Sequence, residues 1–213
     1  NEIRLFLAAL SKSQTHGLEK AMGWSNHLPE ITPMAKRGLR AHLQQIITQN
    51  QELIPYAFLP EHPLNHLLSL PVTVFERIVS FLGLHDLAFE MRQIISTAVL
   101  KKLFSALSKK EGEYLNLLLL HREPLTFKRL FLGKWDGSKE QLQKIIEERG
   151  LFRLALALRG ADPSLTWYLT RRLPMLLGTA LLKHDEKPSH ARTEKILAEQ
   201  IAKIVIFLKP EES

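Results

Sequence analysis

Cysteine is absent from this 213-residue chain. That excludes disulfides, thiolate zinc sites, iron–sulfur clusters and thiol nucleophiles together, and it fits a reducing compartment. Glycine and proline are scarce, at 10 and 11 residues, too few for a low-complexity chain. No apolar run approaches the roughly 18–20 residues needed to cross a bilayer; stretches such as Ile204-Val205-Ile206-Phe207-Leu208 fall far short. No segment alternates apolar and polar residues for more than a few positions, so strand signals are nearly missing. The opening Asn1-Glu2-Ile3-Arg4 has neither an initiator Met nor the pattern of a signal peptide, as expected of a chain trimmed at its amino terminus.

What is present is a folding chain: 45% hydrophobic and 24% charged residues, the balance that builds a core under a polar surface. The length suits one large domain or two small ones. Net charge is +7, from 29 basic and 22 acidic residues, which suits an anionic partner: a nucleic acid, a membrane surface or an acidic protein. The cations are scattered, however, and no aromatic platform is interleaved with them, so nucleic acid is the less favoured partner.

Apolar residues recur at three- and four-residue steps, the helical period. Leu39, Leu43, Ile46 and Ile47 share one face of a segment starting near Pro33. Val74, Phe75, Ile78, Val79 and Leu82 line a helix expected to open at Pro71 and close at Gly83. The period continues from Leu87 to Leu107. Ser138-Lys139-Glu140-Gln141 reads as a capping box for a helix expected to stop at Gly150, followed by a short helix from Leu151 to Arg159. At Gly160-Ala161-Asp162-Pro163, Gly160 suits a left-handed terminus, Asp162 a cap and Pro163 a first turn. Further helices are expected from Pro163, over Leu173–His184, and near Arg192 to Lys209, with a polar break at Lys187-Pro188-Ser189.

The chain is therefore expected to be all-α, a bundle or armadillo-like stack of short antiparallel helices. The expected organisation is an amino-terminal module over 1–122, a connection over 123–137 and a carboxy-terminal bundle over 138–213. The connection, with Pro124, Phe127, Phe131, Gly133 and Trp135, reads either as a hinge or as a packed-down link.

No catalytic or metal motif emerges. His184 and His190 straddle a loop without a third positioned ligand. Glu61-His62 and His85-Asp86 are adjacent pairs whose side chains diverge; the latter read as helix-start residues. Phosphate loops and nucleophile elbows are missing. No cofactor, metal or small-molecule substrate is expected, and enzyme is the weaker class.

From Glu140 to Asp162, the run ending Gly150-Leu-Phe-Arg-Leu-Ala-Leu-Ala-Leu-Arg-Gly-Ala-Asp162 resembles the carboxy-terminal domain of FliG, the flagellar motor switch protein. The likeness extends from Phe127 onward and includes Glu199-Gln200-Ile-Ala-Lys-Ile-Val205, similar to that family's closing Glu-x-x-Gln-x-x-Ile. In that family a helix of alternating charges engages a membrane-bound stator. The resemblance places basic residues at Arg159 and Arg192, puts the middle basic position near Leu176, and sets the acidic pair near Lys183 and His184, approached only by Asp185. Reversed or neutralised charges do not fit such a stator. Leu70-Pro71 through Leu84, then Arg92 to Leu103, and Gly150 to Pro174 with its Arg-Arg-Leu-Pro, are similar to the SctK (YscK) sorting-platform proteins of the virulence type III secretion injectisome.

The resemblances imply a non-enzymatic adaptor at the cytoplasmic face of a type III secretion apparatus, non-rotary. Its implied partners are inner-membrane-ring, pod and C-ring-like subunits, with self-association a further expectation. A flagellar rotor protein, or a helical binder of nucleic acid or anionic membrane, is the alternative. Candidate interaction residues are Arg159, Arg192, Lys183, His184, Leu176, Met175 and Trp167. Leu173–Leu182 reads either as the central helix of the bundle, apolar on every side, or as a docking helix. Of Trp167 and Tyr168, one is expected to pack inward and the other to anchor an interface.

Overall fold

The computed structural model describes residues 2–10, 15–16, 18–20, 28–48, 52–121, 124–125, 127, 129–130, 132, 135–184 and 190–209. Among them the chain is all-α, with no strand. Its contacts gather into two compact units, Asn1–Pro55 and Tyr56–Ser213.

The first unit pairs α1 (Glu2–Ala9) with α2 (Pro33–Thr48). Thr32 caps α2, its Oγ1 accepting from the Ala35 amide at 3.2 Å. Arg40 Nε donates to the Ala9 carbonyl at 2.5 Å, and the Phe6 and His42 rings stack at 6.0 Å. Of the apolar face expected on α2, Leu39 and Leu43 are half-buried, but Ile46 and Ile47 stand exposed.

The second unit is built around α3 (Val72–Met91). From Ile78 to Ala88 every residue of this helix is buried, the mark of a helix covered on all sides. The unit also holds α4 (Thr97–Ala106), α5 (Lys109–Leu120), α6 (Lys139–Ala157), α7 (Pro163–Arg172), α8 (Met175–Leu182) and α9 (Ala191–Leu208). Both α5 and α9 pack on α3, α9 also on α6, and α8 on α6 and α7. The most extensive pairing is α3 with α6.

Two glycines make that pairing close. A Cβ on Gly83 would stand 1.9 Å from the Ile146 carbonyl oxygen, and one on Gly150 would stand 1.8 Å from that of Val79. Each helix thus sets a glycine against the other's backbone. This corrects the reading of both residues as helix ends. α3 runs on to Met91, and α6 continues through Gly150 to Ala157, absorbing most of the expected Leu151–Arg159 helix. A glycine is needed here because only a missing side chain lets the two backbones approach so closely.

Other boundaries follow local chemistry. The expected run from Leu87 to Leu107 is broken after Met91, and Ser96 starts α4 as its cap. Ser138 caps α6, its Oγ accepting from the Gln141 amide at 3.2 Å. Gln141 does not close a capping box; its Oε1 accepts from the Asp136 amide at 2.7 Å. The full box stands at Ser108 and Glu111 on α5 instead. Asp162 caps α7 as expected, with Pro163 in the first turn, whereas positive φ among the described glycines occurs at Gly137, not Gly160. His85 and Asp86 are interior to α3 and buried, not helix-start residues.

The division at Pro55–Tyr56 differs from the expected split into 1–122, 123–137 and 138–213. Because α3 and α6 are the main packing pair, the residues on either side of 123–137 share one core. Within that connection Leu132 is buried and Phe127 meets the Phe152 ring edge-on at 5.2 Å. Phe131 and Gly133 lie outside the described residues, as do Lys187, Pro188 and Ser189.

Candidate protein-interaction surface

α8 is where the sequence left two readings open, and it lies on the outside of its unit. Gly178 and Leu181 are buried, while Met175 is 82% and Leu176 80% exposed. Leu182 is exposed as well. The helix rests on a narrow stripe because Gly178 comes close to α7: a Cβ there would meet the Thr170 carbonyl oxygen at 2.6 Å. With Leu177 half-buried against the core, turning so small a face inward leaves Met175, Leu176 and Leu182 in water. With Pro174 preceding it, the helix presents Met175 and Leu176 in its first turn.

The charged candidates differ in exposure. Arg159 is half-buried at the end of α6, and its Nη2 donates to the His184 carbonyl at 3.0 Å. It thereby ties down the chain just after α8, so its charge serves an internal contact. Arg192 is exposed in the first turn of α9, and Lys183 is exposed at the end of α8. His184 is half-buried, with its ring edge-on to Phe152 at 5.7 Å. Asp185 lies outside the described residues.

Trp167 and Tyr168 are both half-buried, with rings perpendicular at 5.3 Å. Tyr168 packs against the core. Trp167 carries the Arg171 guanidinium 4.9 Å from its ring centroid, a cation–π contact that rigidifies this corner.

Beneath the surface lies a polar cluster the sequence reading missed. Arg153 of α6 is fully buried. Its Nη2 meets Asp86 Oδ1 of α3 at 2.7 Å, and its Nη1 donates to Gln200 Oε1 of α9 at 2.9 Å. The guanidinium also sits 4.9 Å from the Phe127 ring centroid. Arg149 approaches the other Asp86 oxygen at 3.9 Å. One charge pair therefore joins three helices and the connection before α6. The available signal was compositional: Asp86 interrupts an apolar helix, and Arg153 interrupts the leucine-rich run of α6.

Ionisable groups elsewhere are perturbed in two places. Burial pushes His62 below its ordinary value, against the opposing pull of Glu194. The Ser138 amide, donating to Asp136 Oδ1 at 2.7 Å, holds that carboxyl below the usual carboxylate range. Among the described residues no group of three or more His, Asp or Glu is placed to hold a metal ion, and no helix is long and apolar enough to cross a membrane. Comparison with protein-family models, with curated proteins and with solved structures finds no match to this chain.

Proposed function

We propose that this chain is a non-enzymatic adaptor in the cytoplasmic ring or sorting platform of a type III secretion apparatus, of the non-rotary injectisome kind. The observation that carries the reading is Leu176. The FliG-like resemblance puts a stator-facing cation near this position, and an apolar side chain stands there 80% exposed. Met175 beside it is exposed to the same degree, so the surface is made for apolar docking rather than for charge alternation. Arg159, at another basic position of that pattern, is turned to an internal carbonyl. In this reading the second unit is a FliG-like, armadillo-type stack of helices. It offers α8 to a subunit of the inner-membrane ring or the pods, with exposed Lys183 and Arg192 favouring acidic neighbours.

The test uses purified proteins: this chain against the inner-membrane-ring cytoplasmic domain and the pod subunits encoded in the same genome. At least one is expected to bind with a Kd of about 1 μM or tighter. The double variant Met175→Asp, Leu176→Asp is expected to weaken that binding at least roughly tenfold. Its thermal melt should stay where it was, because both side chains are already in water. Absence of binding to every one of these subunits overturns the adaptor reading. Full affinity in the double variant removes α8 from the interface.

A further inference from the structure

A second surface lies on other helices and stands independently of which apparatus the chain serves. Between α5 and α9 runs a groove of about 550 Å³, with buried His85 of α3 among its lining residues. Its walls are helical stripes. Tyr114, Leu117, Leu118 and His121 form one wall, and Ile196, Glu199, Gln200, Lys203 and Phe207 form the other. Tyr114 meets Phe207 at 5.0 Å between ring centroids at one end. Towards the other end Arg153 bonds both Gln200 and the Leu125 carbonyl, so the two wall helices run antiparallel. His85 Nε2 lies 3.1 Å from the Tyr114 hydroxyl and fixes that wall to α3.

A seam between two helices that both rest on a third is where a bundle places one more helix. Both walls present residues at three- and four-residue steps, the spacing that receives a helix through anchors at i, i+3 or i+4, and i+7. Leu117 in the wall and Ile206 beside Phe207 are large apolar side chains already exposed to water.

Charge selects among occupants. Helical spacing extends the stripes to Lys110, four residues before Tyr114, and to Arg192, four residues before Ile196. The same spacing adds Lys195, four residues before Glu199, and Glu113, four before Leu117; with Lys203 these make four exposed cations against two exposed carboxylates, Glu113 and Glu199. A second copy of this chain would bring another net charge of +7 to the same place, which opposes pairing. We propose that the α5–α9 groove docks an acidic amphipathic helix from a partner protein.

The full chain is titrated with two synthetic amphipathic peptides of roughly 15 residues, about four helical turns. Both carry leucine at the anchor spacing; one has glutamate and the other lysine on the polar face. Because the chain has no cysteine, Ile206→Cys carries an environment-sensitive dye at the groove, and Leu176→Cys carries the same dye on α8 as a control. The glutamate peptide is expected to bind and shift the dye at position 206 but not at 176. Leu117→Asp should weaken that binding at least roughly tenfold, and Lys203→Glu should weaken it severalfold and remove most of its salt dependence. Both substituted side chains are exposed, so folding is retained; the thermal melt checks it. No binding of the glutamate peptide, equal binding of the two peptides, or indifference to Leu117→Asp overturns the proposal. Self-association by sedimentation that Leu117→Asp abolishes also overturns it, by assigning the groove to a second copy.

Discussion

Gly150 of α6 lies against the Val79 carbonyl of α3, and four residues back Ile146 offers its own carbonyl to Gly83. The two contacts are one arrangement seen from either side, a crossing in which each helix lends the other a bare backbone patch.

Replacing either glycine with alanine inverts the usual effect of that substitution. In an exposed helix interior Gly→Ala stabilises by about 1 kcal/mol. Here the new methyl would overlap backbone at under 2 Å, and backbone cannot step aside as a flexible side chain does. Gly83→Ala and Gly150→Ala are each expected to lower stability by about 3 kcal/mol or more, read from urea unfolding. Gly38, with open space around its Cβ direction in α2, is the control that should gain slightly.

The buried pair Asp86–Arg153 makes a prediction about non-additivity. Removing one partner strands the other charge, so Asp86→Leu or Arg153→Met alone should cost about 3–5 kcal/mol. The double variant should cost less than either single one, because the fully buried charge leaves with its partner and only Arg149, which reaches solvent, loses a contact. A double-mutant cycle in denaturant measures this. Additive losses would mean that the pair is not coupled as its 2.7 Å separation requires.

His62 gives the pH dependence. Its folded pKa lies below the ordinary 6.5, so the unfolded chain takes up the proton first as acid is added. The stability attached to the neutral ring is present above the unfolded value and is lost as pH falls toward and through the lowered one. His62→Asn should therefore flatten the unfolding free energy between about pH 7.5 and 5 relative to the parent chain. Asparagine retains an acceptor for the Leu64 amide, which His62 Nδ1 now receives at 3.2 Å. Superimposable pH profiles would show that burial does not act on this ring.

Helical periodicity was legible because it repeats: Ile196, Leu197, Ile201, Ile204 and Leu208 announce α9 almost to its ends. Glycine was misleading for a physical reason. The same residue serves a helix terminus and a close helix crossing, and only the opposing helix tells which. Gly83 and Gly150 therefore look like stops until Ile146 and Val79 are placed beside them. Asp86 and Arg153 stand 67 residues apart, so no local pattern joins them. On α8 the composition was plain, but whether an all-apolar helix is central or peripheral depends on what covers it. The buried place belongs to α3, and α8 keeps Met175 and Leu176 outside.

That central position of α3 also bears on how the chain is made. The helix leaves the ribosome long before the segments that enclose it, α6 and finally α9, have been polymerised. At ~5–20 residues per second, translation from Met91 to Leu208 lasts on the order of ten seconds. Through that interval Phe75, Ile78, Leu82 and Leu87 lack the packing that α6 and α9 supply, and apolar surface left open in this way makes a nascent chain prone to aggregation.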